Sequence, residues 1–149
     1  MITKELKVTK EINIRFSEVD SLGIVWHGHH VKYFEDGREE FGKQFGLAYM
    51  EVYRKGYFLP IVSIHCDYKR PIQYERDIVV EVKYIPSLAA KIIFEYTLWD
   101  KESGDKLATG KTEQVFLNTS RELQLTNPEF YEDWQKQHGV SLHLERVPE

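Results

Sequence analysis

The chain has one cysteine, Cys66, in 149 residues. A single thiol excludes an internal disulfide framework and fits a reducing compartment. Cys66 sits in an apolar, strand-like run, which reads as a buried structural thiol rather than a nucleophile. Long apolar runs are also missing: nothing approaches the roughly 20 residues that span a bilayer. The N-terminal stretch lacks the apolar region of a signal peptide. The expectation is a cytoplasmic protein with no membrane insertion. Basic excess is absent as well. The formal net charge is −4, from 20 Lys and Arg against 24 Asp and Glu, which argues against a nucleic-acid binder. No repeat, linker or low-complexity segment breaks the chain, so residues 1–149 read as one domain large enough to bury a core.

Periodicity supplies the elements. Residues 8–16 alternate, with Ile12, Ile14 and Phe16 on one face, as in a half-buried strand. Val31, Phe34, Phe41, Phe45 and Ala48 recur at helical spacing, which predicts an amphipathic helix of about four turns over 30–45. Gly46 stops it, and a short helical segment follows to about 55. Gly37 falls inside the helix, where glycine costs about 1 kcal/mol relative to alanine; a tight approach of helix to sheet accounts for it.

Four strand-like stretches come next, at 58–69, 77–85, 89–100 and 105–118. In the first, Val62, Ile64, Cys66 and Tyr68 alternate; in the second, Ile78, Val80, Val82 and Tyr84 do. Turn residues separate them at Arg70-Pro71, Pro86-Ser87 and Ser103-Gly104-Asp105, and the last is a hairpin loop from Asp100 to Asp105. Asn127-Pro128 predicts a capped C-terminal helix over about 127–138, ended by Gly139. One strand, one long helix and four closely spaced strands make an α+β domain. Its sheet is mainly antiparallel and wraps around the central helix.

The chemistry gathers in Asp20-Ser21-Leu22-Gly23-Ile24-Val25-Trp26-His27-Gly28-His29-His30. A carboxylate precedes a tight apolar turn, and a histidine stands where the long helix begins. Helix starts present unpaired N–H groups and the positive end of the dipole. An acid beside such donors can support attack on a carbonyl and hold the oxyanion that results. Taken alone, Asp20 reads first as a turn or capping residue, and His27 nearly as readily as a histidine capping or packing at a helix start. His27, His29 and His30 lack the i, i+4 spacing of a helical zinc motif, and His65, His138 and His143 are too scattered to complete a set. No metal is expected from this spacing. Glu35, Glu39 and Glu40 on the helix read as a solvated face, with Glu39 set to pair with Lys43 and Glu35 with Arg38.

These residues resemble the hotdog-fold thioesterases, in the group of 4-hydroxybenzoyl-CoA thioesterase and YbgC-like acyl-CoA thioesterases. Arg15-Phe16-Ser17-Glu18-Val19-Asp20-Ser21-Leu22-Gly23-Ile24-Val25-Trp26-His27, continuing to Tyr33-Phe34-Glu35 and Arg38, is similar to the family's aspartate, turn and helix block. Tyr68-Lys69-Arg70-Pro71-Ile72-Gln73-Tyr74-Glu75-Arg76-Asp77 is similar to its second block, between strands. The likeness spans roughly residues 12–118. It departs at His30, where the family commonly has tyrosine, and at Val19, where threonine often precedes the aspartate.

The resemblance implies a hotdog fold that hydrolyses acyl-CoA thioesters without a cofactor, in a homodimer or homotetramer with sites between protomers. It implies Asp20 as general base or as a nucleophile that forms a mixed anhydride. It also implies His27 as a second catalytic group, and backbone N–H groups near His27 to His30 polarising the carbonyl. Substrate contacts are implied at Gly23, Val25, Trp26, His30 and Tyr33, with Phe34 and Tyr57 as further pocket residues. Lys69, Arg70 and Arg76 are candidates for the CoA phosphates, as are Lys83, Lys91 and Lys111. Glu35 is the competing carboxylate, since a related branch carries its catalytic acid on the helix. Two other readings stay open: an acyl-carrier-protein thioesterase, and an acyl-CoA-binding module without turnover.

Overall fold

The computed structural model describes residues 4–142. Its strands are β1 (Lys7–Asn13), β2 (Tyr57–Phe58), β3 (Ile61–Tyr68), β4 (Asp77–Ile85), β5 (Lys91–Asp100), β6 (Lys106–Val115) and β7 (Leu117–Asn118). Its helices are α1 (His29–Phe45), α2 (Tyr49–Arg54) and α3 (Glu129–Gln137), with a 3-10 turn at Phe16–Glu18. Five strands form one antiparallel sheet in the order β1-β4-β5-β6-β3, and β2 pairs with β7. Sheet and single long helix make the expected hotdog arrangement.

The helix lies where the volumes allow it. Tyr33, Phe34, Gly37 and Phe41 are buried along one side of α1, facing Ile78, Val80, Val82 and Tyr84, which alternate inward along β4. A Cβ on Gly37 would overlap Cγ2 of Val82 and stand 3.0 Å from Cγ2 of Val80. On the sheet the relation is reversed. The space beside Gly110 of β6 is filled by the Phe34 ring, which also stacks on Tyr96 at 4.6 Å. Gly46 ends α1 in the left-handed region, at φ +90°.

Two expectations about the elements are corrected. β1 stops at Asn13, because the chain turns into the 3-10 segment and leaves Phe16 75% exposed. The C-terminal helix begins at Glu129 with no side-chain cap; Oδ1 of Asn127 is buried without a hydrogen-bond partner. α3 is fastened by other means, as Nε1 of Trp134 donates to the Phe45 carbonyl at 2.8 Å and the Tyr84 and Tyr131 hydroxyls bond each other.

Strand order positions the site. β3 and β4 are consecutive in sequence yet three strands apart in the sheet, so residues 69–76 cross roughly 14 Å of sheet end. That crossing meets the loop before α1.

Candidate active site

Residues 19–25 form a small hairpin. Val19 bridges to Val25, and Ile24 bridges to Gln73 of the crossing segment. Val25 N–H donates to the Ile72 carbonyl at 2.8 Å, and Tyr74 N–H to that of Gly23 at 3.2 Å. At the tip, Gly23 N–H donates to the Asp20 carbonyl at 3.0 Å, and Gly23 takes φ +77°, a conformation that suits glycine. Leu22 N–H donates to Oδ1 of Asp20 at 2.8 Å, the short-range bond of an Asx turn. Asp20 is exposed, and Oδ2 makes no hydrogen bond to any described residue. One oxygen therefore fixes the side chain while the other stays free.

The chain then enters α1. Trp26 N–H donates to the Glu18 carbonyl, and His29 N–H to that of Trp26, both at 3.0 Å. Gly28 precedes the helix without a side-chain cap, and the Trp26 ring occupies the space a side chain at 28 would need. The His29 N–H is thus taken, and the other N–H groups that open α1 are left for another acceptor. His27 is exposed, and its carbonyl accepts the Tyr68 hydroxyl at 2.6 Å. His30 is 3% exposed, its Nδ1 buried without a partner. Burial holds its imidazole below the usual basicity, and it packs edge-on against Tyr68 at 4.6 Å. Asp20 and Gly23 thus lie at the hairpin tip, and Trp26, His27 and His30 follow where the hairpin runs into α1.

Residues 14–141 match the Thioesterase-like superfamily. The chain belongs to that superfamily. Among curated relatives it is 32% identical over 91 residues to a Bacillus subtilis protein named "Putative acyl-CoA thioesterase YneP", covering 61% of this chain and 66% of that one. The chain spans less than two thirds of the length of the first curated relatives it matches. Among solved structures, the DHNA-CoA thioesterase of Staphylococcus aureus matches with a TM-score of 0.77 at 21% identity, over 88% of this chain and 90% of that one. A mutant 4-hydroxybenzoyl-CoA thioesterase complexed with 4-hydroxybenzoyl-CoA matches with a TM-score of 0.73 at 18% identity, over 86% and 97%.

Several residues named from sequence sit elsewhere in this thioesterase-like domain. Val25 and Tyr33 are 4% and 1% exposed. Val25 points into the core and its N–H is already bonded, so it offers no ligand contact. Tyr33 turns to the β1 side of α1 because that position belongs to the helix's inward stripe. Phe34 is fully buried, and Tyr57 packs on Phe116 and Phe130. Arg76 is committed to Asp100 through two hydrogen bonds of 2.8 and 3.0 Å, which leaves little of its charge for a phosphate. Lys69 and Arg70 are exposed where the crossing segment begins, and Arg70 reaches Asp105 at 3.4 Å. Lys83 pairs with Glu5, and Lys91 with Glu113. Lys111 lies with Lys83 on the sheet face opposite α1.

Glu35 and Arg38 do not pair. Nη1 of Arg38 turns inward to the Tyr96 hydroxyl at 3.1 Å, and that hydroxyl bonds Thr112 at 2.6 Å. Glu35 is exposed on the rim of a cleft of about 430 Å³ lined by Arg38, Phe41, Tyr49, Leu59 and Phe94. Glu39 and Lys43 do pair, at 4.0 Å, both mostly exposed. Among the described residues no three His, Cys, Asp or Glu side chains are grouped to hold a metal; His143 lies outside them. No described helix is long and apolar enough to cross a membrane.

Sequence reasoning missed Tyr68 and Glu18. Tyr68 carried a signal, since it opens the second motif block. Glu18 is only 4% exposed and had none beyond its place in the first block.

Proposed function

We propose that this protein hydrolyses acyl-CoA thioesters to a free acid and CoA, with Asp20 as the reacting carboxylate. The observation that carries the reading is the tip at 20–23: Oδ1 is tied to the Leu22 N–H and Oδ2 is free, in the hairpin that leads into an uncapped helix start. In one route Asp20 takes a proton from water as the water oxygen adds to the thioester carbon. In the other Asp20 adds to that carbon itself, CoA thiolate leaves, and water cleaves the mixed anhydride. Both routes create an oxyanion that first-turn N–H groups of α1 can receive, a contact worth about 3 kcal/mol in the transition state. Thiols have pKa values near ~8.5, so the leaving thiolate needs little help from an acid. His27 orients the water or the thioester, and the exposed Trp26 borders the acyl group, whereas His30 is too buried to touch it. Lys69 and Arg70 meet the CoA phosphates. Acyl-carrier-protein thioesters offer the same bond and belong in the same assay.

A second copy completes the site. β3 is an edge strand whose Val62, Ile64 and Tyr68 are 57%, 45% and 50% exposed. Apolar side chains on an open edge support pairing with another strand, and a homodimer or homotetramer is the assembly proposed.

The test is release of free thiol from a panel of acyl-CoA and acyl-carrier-protein thioesters. Asp20→Asn keeps an oxygen for the Leu22 N–H, so the tip survives while kcat falls about 10²–10⁴-fold. Glu35→Gln keeps most of the activity. Full activity in Asp20→Asn would remove Asp20 from the mechanism, and equal losses in both variants would bring Glu35 into it. Binding without thiol release from any thioester would point to a non-catalytic module.

A further inference from the structure

Glu18 and Asp100 are the buried carboxylates among the described residues. Asp100 has Arg76, at the far side of the crossing segment. Glu18 stands two residues before Asp20 and reaches three parts of the site. Its Oε1 accepts the Arg15 N–H at 2.8 Å, which closes the 3-10 turn. Its Oε2 accepts Nζ of Lys32, in the first turn of α1, at 3.3 Å. Its backbone carbonyl accepts the Trp26 N–H at 3.0 Å, where the hairpin returns to the helix.

The surroundings favour the charged form. Burial works against it, but the Arg15 N–H and the Lys32 ammonium outweigh burial and hold the carboxyl below its usual value. Tyr33 lies alongside, 1% exposed, with its hydroxyl buried and unbonded. Burial first, then the charge of Glu18, pushes that phenol well above its usual value, so it stays protonated next to the carboxylate. Glu18, Lys32 and Tyr33 line a cleft of about 380 Å³ with Lys10, Arg15 and Asp36.

We propose that Glu18 is a positioning residue that sets Asp20 against the α1 N-terminus by binding the hairpin's base to the helix's first turn. The proposal rests on the thioesterase reading. Reacting atoms must be held within about 3–3.5 Å of one another, and a 1 Å error can cost about 100-fold. Among the described residues, the hydrogen bonds and ion pairs of residues 15–26 reach α1 at Trp26, on the return strand, and at this carboxylate. Freed from Lys32, the tip can shift relative to the first-turn N–H groups while the substrate surfaces remain.

A double-mutant cycle with Asp20→Asn tests this. Glu18→Gln keeps the length of the side chain and an oxygen for the Arg15 N–H, but no charge for Lys32. In the wild-type background kcat is expected to fall about 10–100-fold with KM within about twofold. In the Asp20→Asn background the same change is expected to alter the residual rate less than about twofold, because the group it positions is already gone. An equal factor in both backgrounds, or a rise in KM at constant kcat, overturns the proposal. If Glu18→Gln does not fold, Lys32→Met carries the same cycle with a several-fold effect expected and the same outcomes overturning it. A wild-type protein that cleaves no thioester would instead remove the hydrolase reading, and this one with it.

Discussion

Alanine at position 37 should destabilise the domain even though it is the better helix former. Taken alone, Gly37→Ala gains about 1 kcal/mol of helix propensity. The new Cβ, however, overlaps Cγ2 of Val82 and stands 3.0 and 3.2 Å from the two Cγ atoms of Val80. Both valines are fully buried on a central strand, and β-branched side chains have few rotamers to turn to. Overpacking of this kind costs about 1–3 kcal/mol, and the severity of the overlap puts it in the upper half, leaving a net loss of about 1–2 kcal/mol. The second limb is Val82→Ala, which removes both Cγ atoms and costs about 2 kcal/mol by itself. In that background the new Cβ enters vacated space, so Gly37→Ala should become neutral or stabilising. The coupling is then about 1–3 kcal/mol in favour of the double variant. Urea unfolding of the four proteins at one protein concentration measures it, since an oligomer's midpoint depends on concentration. Stabilisation by Gly37→Ala alone, or a cycle additive within about 0.5 kcal/mol, would refute the reasoning.

Two further outcomes are expected. Asp100, held by two bonds from Arg76 and by the Ser103 N–H, has its carboxyl lowered to about 2. Its contribution to stability is complete above the usual carboxylate value near ~4 and is lost as pH falls from there through about 2. Acid unfolding followed by circular dichroism should therefore begin at higher pH in Arg76→Ala, and superimposable curves would count against the pair. Ile64→Lys, on the open β3 edge, should halve the native mass seen by light scattering while leaving circular dichroism unchanged; an unchanged mass would move the subunit contact elsewhere.

Much of the fold can be read from local pattern. Helix α1 begins one residue before its expected start because apolar spacing and Gly46 bracket it. The Asp100 to Asp105 hairpin forms where Ser103-Gly104-Asp105 announces it, with Asp100 N–H donating to the Asp105 carbonyl at 2.8 Å. Gly37 marks a close approach to the sheet, as its cost in a helix suggests. What fails does so where a distant element decides. Alternation in β3 is real, yet Val62, Ile64 and Tyr68 are exposed because the strand lies at the sheet edge. Phe16 continues the alternation of β1 but leaves the sheet with the 3-10 turn. Asn127 has the right chemistry for a cap, but the helix starts one residue too late for it to serve. Helical spacing marks Tyr33 as inward without saying which neighbour it meets. Glu18 is hidden for a deeper reason: its burial depends on Lys32, fourteen residues on, and no short-range rule anticipates that pairing.

Two reciprocal glycine contacts hold α1 on the sheet: a helix glycine beneath valines of β4, and a glycine of β6 beneath a phenylalanine of the helix. Each is a fit of volumes, and neither involves charge. Sliding the helix along its axis would have to break both at once, in two different strands. The position of its first turn is therefore set by steric registration, which salt and pH do not weaken. The small hairpin before it, with a buried carboxylate and an ammonium at its base, is the part that responds to ionic conditions. A fixed anvil and an adjustable hammer describe the pair, and changes in medium should shift their alignment through the second.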